Sequence, residues 1–412
     1  MKDFYAHIPT KLYFGENKFD DFISALSNLG KNILIVTGGG SIKKLGFYDP
    51  LISKLQKLDL GIFEFQGIEA NPLAQTIDKC AKDHKNSKID IVLAFGGGSV
   101  MDAAKAISAL LYLSKQHELG RNAELPIDIW SYVLGSPLVG KLPGALPICT
   151  IPTTAATASE VTPYSVISND KVIGKSPLSY EFLKPALSFL NPVYTTCLPK
   201  HTTQDGAADI LSHVFENYLL GGNGAIFTDR YCEAIIKTVI ETLPQIIENP
   251  EDINLRGDLL WCSTLALNGF HSAGRNTSQF PLHAIEHAMS AFKHELAHGR
   301  GLATLFPAYF RYLWNKNLGR DRLNRLGEMI FDQFESNEMS GLYFIEKFEN
   351  WLESCDLLQS AYSLGFNDND FEVIASYAAR IYGDGDSIDV LGKMTTLDIE
   401  ELLKLTKSQD RH

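Results

Sequence analysis

A three-part pattern occurs twice early in this chain, and it limits the fold more than any other feature. The apolar runs NILIVT (32–37) and IDIVLAF (89–95) have the length and β-branched content of strands that are covered on both faces. Each run leads into GGGS, and each GGGS is followed by apolar residues at helical spacing. Strands joined through helices pair in parallel, so the pattern predicts an α/β domain with a parallel, Rossmann-like sheet.

The second half of the chain has a different character. LPICTIPTT (146–154) reads as a further strand, but strand-like runs disappear after about Pro199 and helical patterns take their place. A length of 412 residues also exceeds one ordinary domain. We therefore predict an α/β domain over 1–192 and an all-α domain over 193–412. Residues 114–145, which include IDIW, are predicted to form a surface excursion.

Composition and charge narrow the class of partner. The net charge is −12, from 37 basic and 49 acidic residues, and no block of Lys and Arg interrupts it. Such a surface repels nucleic acid and anionic membranes, so a small molecule is the expected partner. The six cysteines form no CxxC pair, and we find no signal peptide and no apolar run of membrane-spanning length. We expect a cytoplasmic protein with reduced thiols.

The glycine turns are candidate phosphate sites. In FGGGSVMDAAK, glycine lets the backbone approach a ligand closely, and the following helix start offers N–H groups to an anion. Ser99 and Asp102 have the spacing of a capping box for that helix. A tight turn without a ligand explains one isolated GGGS equally well.

The first glycine turn bears on the choice of dinucleotide. Neither copy of GGGS matches GxGxxG, and the position after the first strand, where NAD sites commonly place a carboxylate, holds glycine. Ser41, Lys43 and Lys44 follow and would suit a 2′-phosphate, so NADP(H) is favoured over NAD(H). The alternative is that both lysines simply lie on a solvated helix face.

Four of the eleven histidines lie within HAIEHAMSAFKHELAHG (283–299). On one continuous helix His283 and His298 would be about 22 Å apart, too far to share an ion. A chain reversal at FKHEL would bring them together, with flexibility supplied by Gly299 and Gly301.

A second cluster lies upstream in DGAADILSHVFENYL. Asp209 and His213 are four residues apart on a helical pattern, so their side chains project from one face. Together with His283 and His298 they would form a mixed oxygen and nitrogen set suited to Zn²⁺ or Fe²⁺. Any one of these histidines alone would more often be a hydrogen-bonded core residue.

These motifs together resemble the iron-containing (group III) alcohol dehydrogenases, most closely their NADPH-dependent, butanol dehydrogenase-like branch. The resemblance covers nearly the whole chain. It is carried by PTKLYFGEN (9–17), VTGGGSIKK, EANP (69–72), FGGGSVMDAAKAI, IDIW, TIPTTAATASEVT (150–162), DGAADILSHVFENYL, WCSTLALNGFHSAGR (261–275) and HAIEHAMSAFKHELAHG.

The resemblance implies a dehydroquinate synthase-like architecture, in which an α/β dinucleotide domain precedes an all-helical domain. It implies that one divalent ion is held by Asp209, His213, His283 and His298, and that His287 lies beside the nicotinamide. The implied cofactor contacts are Asn71, Gly97, Gly98, Ser99, Asp102, Thr153, Thr154, Thr157 and Lys175. The first glycine turn adds Gly38, Gly39, Ser41 and Lys44 as candidate cofactor residues. His271 and His294 match no family ligand and are expected to be structural.

Two departures from the family pattern bear on these expectations. The segment TTAATASE carries Ala156 and Ala158, whereas the family usually has glycine within it. Alanine restricts the φ and ψ angles that the backbone can adopt there. The interval from His287 to His298 is one residue longer than in similar chains, so the extra residue is either absorbed in the FKHEL reversal or displaces His298.

The expected function is reversible hydride transfer between NADP(H) and a small alcohol or aldehyde, by a homodimer that uses Fe²⁺ or Zn²⁺. Three alternatives stay open. His283, Glu286 and His287 spell HxxEH, the pattern of inverted zinc peptidases. The same architecture also serves dehydroquinate synthase-like lyases and glycerol dehydrogenase-like enzymes. A binding protein without activity is the third.

Overall fold

A computed structural model describes residues 1–276, 280–331 and 339–406. The chain divides into two compact units. The α/β unit comprises residues 8–154 and 158–197. The helical unit comprises residues 1–7, residues 155–157 and the described part of 198–412.

The α/β unit alternates strands and helices as the two GGGS patterns predict. Its strands are β1 (Lys11–Phe14), β2 (Asn32–Thr37), β3 (Gly61–Gln66), β4 (Ile91–Gly96), β5 (Ile148–Pro152), β6 (Tyr164–Asn169), β7 (Gly174–Ser179) and β8 (Leu187–Leu190). Its helices are α1 (Phe19–Ser27), α2 (Ser41–Lys44), α3 (Tyr48–Lys57), α4 (Ala74–His84) and α5 (Gly98–Glu118).

The central sheet of this unit has six parallel strands in the order β1-β8-β5-β4-β2-β3. From β2 the chain passes to β3 on one side, and it then returns to β4 on the other side. The change of direction makes a switch point between β2 and β4, where parallel sheets place ligands beyond the carboxyl ends of the strands. Strands β6 and β7 form a separate antiparallel pair.

Both faces of the sheet are covered, which explains the unbroken apolar runs. Along β2, Leu34 and Val36 pack on one face with residues of α4 and α5, and Ile33 and Ile35 pack on the other face with residues of α1 and α3. All four are fully buried. The predicted α/β fold with a parallel sheet is confirmed.

The predicted surface excursion over 114–145 is wrong at IDIW. Helix α5 continues to Glu118, and the single turn Ile129–Tyr132 carries two fully buried side chains. The Asp78 carboxylate accepts a hydrogen bond from the Ile129 N–H at 2.9 Å and ties this turn to α4. The residues that flank IDIW are polar and rich in proline, so no local pattern indicated that Ile129 is buried.

The second unit is helical, as predicted, with one short hairpin near its end. Its helices are α6 (Lys200–Leu220), α7 (Ile226–Glu248), α8 (Ile253–Ala266), α9 (Pro281–Phe292), α10 (His298–Asn315), α11 (Arg320–Ile330), α12 (Ser340–Ser354), α13 (Asp368–Tyr382) and α14 (Thr396–Lys404). Strands β9 (Ser387–Asp389) and β10 (Lys393–Thr395) pair antiparallel and bury Ile388 and Met394. No helix in the described residues is long and apolar enough to cross a membrane.

An aromatic cluster joins α6, α10 and α12. The ring of Phe215 on α6 meets those of Phe306, Phe310, Phe344 and Phe348 edge-on, at centroid distances of 5.2 to 5.9 Å. Edge-to-face packing is the favoured geometry for such rings, and each ring buries a large apolar area. The cluster therefore fixes α6 against α10, the two helices that carry Asp209 and His298.

A buried ammonium group links α5 to the segment that follows β5. Lys105 is fully buried and donates hydrogen bonds to Ser159 Oγ at 2.8 Å, Thr162 O at 2.9 Å and Tyr164 O at 2.7 Å. Ser159 Oγ in turn donates to Asp102 Oδ1 at 2.6 Å. Burial lowers the pKa of Lys105 to about 8, against the opposing effect of the Asp102 and Glu160 carboxylates.

We expect Lys105→Met to lower the free energy of unfolding by about 3 kcal/mol, because it leaves the partly buried Asp102 carboxylate without the larger of the two lysine charges that oppose its desolvation. Urea denaturation measures the effect. The double variant with Asp102→Asn should recover most of the loss, since it removes the uncompensated charge. A loss below about 1 kcal/mol in Lys105→Met would contradict the role given to this ammonium group.

Candidate functional site

The two glycine turns lie side by side around one valine. The turn after β2 and the turn after β4 flank the switch point of the sheet. A Cβ at Gly38 would lie 3.5 Å from Val100 Cγ2, and one at Gly96 would lie 2.6 Å from the same atom. Val100 on α5 therefore packs against both turns, and Gly96 cannot carry a side chain without displacing it.

Other candidate cofactor residues are attached to the second turn. The Asn71 N–H donates to Ser99 Oγ at 3.3 Å, and the Thr153 N–H donates to Gly96 O at 3.0 Å. A Cβ at Gly97 would lie 3.2 Å from Thr154 Oγ1. The carboxyl edge of the sheet in the α/β unit thus carries Gly38, Gly39, Ser41, Asn71, Gly97, Gly98, Ser99, Thr153 and Thr154.

The predicted capping box at the start of α5 is wrong. The N-cap residue is Gly97, and no side chain caps the helix. Ser99 lies inside the first turn, where its Oγ accepts the Asn71 N–H. Asp102 turns toward Ser159 Oγ and the Val166 N–H, the latter at 2.8 Å. Ser99 and Asp102 therefore bind neighbouring segments, and neither side chain caps the start of α5.

Three further candidate cofactor residues lie away from the glycine turns. Asp102 is inside the α/β unit, where burial raises the pKa of its carboxyl group against the opposing charge of Lys105. Lys175 lies buried on β7, in register with Ser168 of β6. Thr157 belongs to the three-residue segment that clusters with the helical unit. Their contacts with a cofactor stay predictions.

The alanines of TTAATASE have a visible backbone consequence. Ala158 is fully buried with φ of 51°, in the left-handed region that glycine adopts without penalty. An alanine there costs about 1–2 kcal/mol relative to an ordinary conformation. The chain therefore adopts a left-handed turn at this position although the residue is alanine.

The helical unit brings the predicted ligands together. Helix α6 supplies Asp209 and His213, α9 supplies His283, and His298 is the first residue of α10. Helix α9 ends at Phe292 and α10 begins at His298, so the predicted reversal at FKHEL is confirmed.

Gly299 and Gly301 lie in the first turn of α10 and allow close packing there, and the flexibility expected of them stays a prediction. Neither has a positive φ. A Cβ at Gly299 would lie 1.8 Å from Asp205 O on α6, and one at Gly301 would lie 2.7 Å from Glu286 Cγ on α9. The absence of side chains at these two positions lets the start of α10 approach both neighbouring helices.

Three imidazole nitrogens surround one carboxylate oxygen. Asp209 Oδ1 is 3.5 Å from His213 Nε2, 3.8 Å from His283 Nε2 and 3.6 Å from His298 Nε2. These separations are at or beyond the limit of a hydrogen bond. They are close to the ~3.4 Å expected between two ligand atoms of a tetrahedral ion with bonds of ~2.1 Å. Asp209 Oδ1 and His283 Nε2 are buried without a hydrogen-bond partner among the described residues, so the donor set fits a divalent ion.

Two buried glutamates fix the orientation of the imidazoles. Glu216 Oε2 bonds to His283 Nδ1 while its Oε1 accepts the Leu282 N–H at 2.6 Å. Glu286 Oε2 bonds to His298 Nδ1. In a neutral imidazole, a carboxylate on Nδ1 selects the tautomer whose Nε2 lone pair faces away from it, here toward Asp209. The bond between Glu286 and His298 also argues against the HxxEH hydrolase hypothesis, in which Glu286 would activate water.

Burial and neighbouring charges separate the protonation states of the cluster. Burial raises the pKa of Asp209, but the three histidines outweigh it and hold that pKa well below its usual range. Burial lowers the pKa of His213 to about 3. For His283, burial also acts to lower the pKa, yet the Glu216 and Asp209 carboxylates raise it to about 9. At neutral pH the cluster thus offers a carboxylate, and an ion that binds must displace the proton from His283.

His287 lies beside the cluster and has a partner of its own. Its ring centroid is 5.1 Å from that of His298 and 6.0 Å from that of His283. Its Nδ1 is 2.7 Å from the hydroxyl oxygen of Tyr382 on α13. Burial raises the pKa of Tyr382 well above its usual value, so the phenol stays neutral. His271 Nδ1 accepts the Gly269 N–H at 3.3 Å, and the structural role expected of His271 and His294 stays a prediction.

Sequence reasoning missed Glu216 and Tyr382. Glu216 follows Asp209 by seven residues and His213 by three, which places all three on one face of α6. That spacing is a signal that could have found it. Tyr382 is 95 residues from His287, and no local pattern marks it.

Comparison with known families decides the identity of this arrangement. Residues 9–192 match the family model for iron-containing alcohol dehydrogenase, and residues 203–405 match the model for the C-terminal part of the Fe-containing alcohol dehydrogenase family. The chain belongs to the iron-containing alcohol dehydrogenase family. The resemblance of the motifs to this family is confirmed, whereas the NADPH-dependent branch stays a prediction. Membership makes the chain an enzyme that uses a nicotinamide cofactor and a metal.

Individual relatives agree with the family match. The chain is 34% identical over 411 residues to the probable NADH-dependent butanol dehydrogenase 1 of Bacillus subtilis, covering 99% of this chain and 100% of the relative. It is 32% identical over 341 residues to the NADPH-dependent aldehyde reductase YqhD of Escherichia coli, covering 82% of each. The crystal structure of NADH-dependent butanol dehydrogenase A from Thermotoga maritima superimposes with a TM-score of 0.89 at 32% identity, covering 99% of both chains. These relatives support alcohol dehydrogenase or aldehyde reductase activity, and their names include both cofactors.

We expect Glu286→Gln and Glu216→Gln each to weaken Zn²⁺ binding by about 10- to 100-fold, because each loses the carboxylate that orients a histidine. Competition with a chromophoric chelator measures the affinity. Glu295→Gln, an exposed change in the reversal before α10, is the matched control and should bind Zn²⁺ as the wild type does. Wild-type affinity in both buried variants would show that these glutamates do not orient ligands.

Proposed function

We propose that this enzyme transfers a hydride reversibly between NADP(H) and a small alcohol or aldehyde at a single divalent ion held by Asp209, His213, His283 and His298. The observation that carries the proposal is the convergence of three Nε2 atoms on Asp209 Oδ1 at 3.5 to 3.8 Å. The proposed cofactor domain is residues 1–192, and the proposed metal and substrate domain is residues 193–412.

The protein side of the reaction follows from the contacts around the cluster. When bound, the cation supplies a Lewis acid for the carbonyl oxygen and the nicotinamide supplies the hydride. Asp209 contributes the negative charge that retains a cation in this buried place, and Glu216 and Glu286 keep two imidazoles in position. The proposed role of His287 is to pass a proton to the substrate oxygen as negative charge develops there. Tyr382 holds Nδ1 of that imidazole and so limits its rotation.

The donor set is compatible with two metals. One carboxylate and three imidazoles suit both Zn²⁺ and Fe²⁺. Intrinsic affinities at such a site favour Zn²⁺, and the supply of metal in the cell can reverse that order. We propose that either ion supports the reaction, and metal analysis of the purified protein identifies the one acquired.

The proposed preference for NADP(H) rests on the first glycine turn. Gly38 and Gly39 stand where a carboxylate would otherwise select a free ribose hydroxyl, and Ser41 and Lys44 follow. Lys44 is exposed and forms no ion pair among the described residues, which supports its availability to a 2′-phosphate. We further propose a cytoplasmic homodimer, which analytical ultracentrifugation of the purified chain tests directly.

The decisive experiment combines an assay matrix with ligand variants. Short-chain aldehydes and alcohols are assayed with NADPH and NADH in the presence of Zn²⁺, Fe²⁺ or chelator. We expect Asp209→Ala and His213→Ala to lose bound metal and to lower kcat/KM by at least about a hundredfold, since the Lewis acid is worth several kcal/mol.

His294→Ala is the matched control, because it removes a histidine that lies in the reversal between α9 and α10 and is not one of the four proposed ligands. It should keep both metal and turnover. Retained turnover in metal-free Asp209→Ala would rule out the proposed mechanism. Peptide hydrolysis without dinucleotide binding would instead favour the HxxEH alternative.

A further inference from the structure

The first glycine turn has a carboxylate next to it that the motif does not contain. Glu64 lies on β3, the strand at the edge of the sheet beside β2, and it is exposed. Its Oε2 is 2.8 Å from Lys43 Nζ on α2. The Lys43 ammonium also lies over the ring of Tyr48, 4.5 Å from the centroid. The lysine side chain is therefore held by two partners, and the hydrogen bond from Lys43 lowers the pKa of Glu64.

This ion pair changes the local charge of the turn. Residues 38–44 read GGGSIKK, so Lys43 and Lys44 are the only charged groups of the segment. Glu64 cancels the charge of Lys43 and leaves Lys44 as the segment's uncompensated cation. A carboxylate at this place also repels any further anion that approaches Lys43.

The ion pair of Lys43 and Glu64 lies near the place expected for the adenosine ribose of a dinucleotide. In sheets of this type the pyrophosphate lies on the glycine turn before the long helix, here after β4. The adenosine ribose then lies against the end of the neighbouring strand, here β2, where the residues that distinguish a 2′-hydroxyl from a 2′-phosphate are found. Strand β2 ends at Thr37, which pairs with Gln66 of β3, two residues after Glu64.

We propose that Glu64 is a specificity-determining residue, which weakens binding of the 2′-phosphorylated dinucleotide by holding and neutralising Lys43. This inference rests on the proposed dinucleotide site and deepens it. A 2′-phosphate adds nearly two negative charges, and Lys43 must leave Glu64 before it contacts them. A free 2′-hydroxyl makes no such demand. The carboxylate therefore acts on NADP(H) and leaves NAD(H) almost unaffected.

The test measures binding by calorimetry and does not depend on turnover. NADP⁺ and NAD⁺, which differ only in the 2′-phosphate, are titrated into the full-length wild type and Glu64→Gln at low and high salt. We expect Glu64→Gln to bind NADP⁺ about three- to tenfold more tightly, with less than a twofold change for NAD⁺. The gain should shrink at high salt, because it comes from an exposed charge.

Two further variants separate this effect from a general change of surface charge. Glu181→Gln removes the exposed carboxylate of another ion pair in the α/β unit, that of Glu181 and Lys184 at 2.7 Å, and should alter neither affinity. Adding Lys43→Gln to Glu64→Gln should abolish the gain for NADP⁺, because the released lysine is then absent.

Each outcome has a definite meaning. An unchanged ratio of the two affinities in Glu64→Gln overturns the inference and leaves the proposed function standing. The same gain in Glu181→Gln, or a gain that survives Lys43→Gln, also overturns it. A wild type that binds neither dinucleotide overturns the proposed function together with the inference.

Discussion

The whole helical unit depends on one buried carboxylate. Asp209 is almost inaccessible to water, and a charge in such a place is stable only when opposite charges or strong donors surround it. The surrounding groups are three imidazoles from three different helices. Their convergence requires α6, α9 and α10 to approach more closely than ordinary side chains permit. Gly299 and Gly301 make that approach possible, and the aromatic cluster around Phe215 holds α6 and α10 together.

Two buried glutamates bond to two of the histidines that surround Asp209. Glu216 and Glu286 are fully buried, which would be costly for unpaired carboxylates. Each is paired with the Nδ1 of a histidine whose Nε2 faces Asp209. Negative charge thus accumulates around the imidazoles, and a divalent cation at the centre would compensate it. The arrangement also explains the glutamate of the HAIEH motif. Glu286 bonds to the Nδ1 of His298, twelve residues farther along the chain.

Much of this fold and site could be predicted because the evidence for it is local. The unbroken apolar runs at 32–37 and 89–95 predict a covered parallel sheet, and Asp209 and His213 share a helix face through a spacing of four. The features that escaped prediction depend on contacts between distant segments. Tyr382 reaches His287 across 95 residues, and Ile129 is buried through Asp78, although the flanks of IDIW look like a surface loop. Val100 gives no local sign that it packs against both glycine turns.

The central claim is that four side chains of the helical unit hold one ion. Anomalous diffraction at the zinc absorption edge, from crystals grown with Zn²⁺, tests it most directly. The account predicts a single strong peak within about 2.0–2.2 Å of Asp209 and of Nε2 of His213, His283 and His298. Strong zinc peaks found only at other side chains, with His283 and His298 turned away from Asp209, would contradict it.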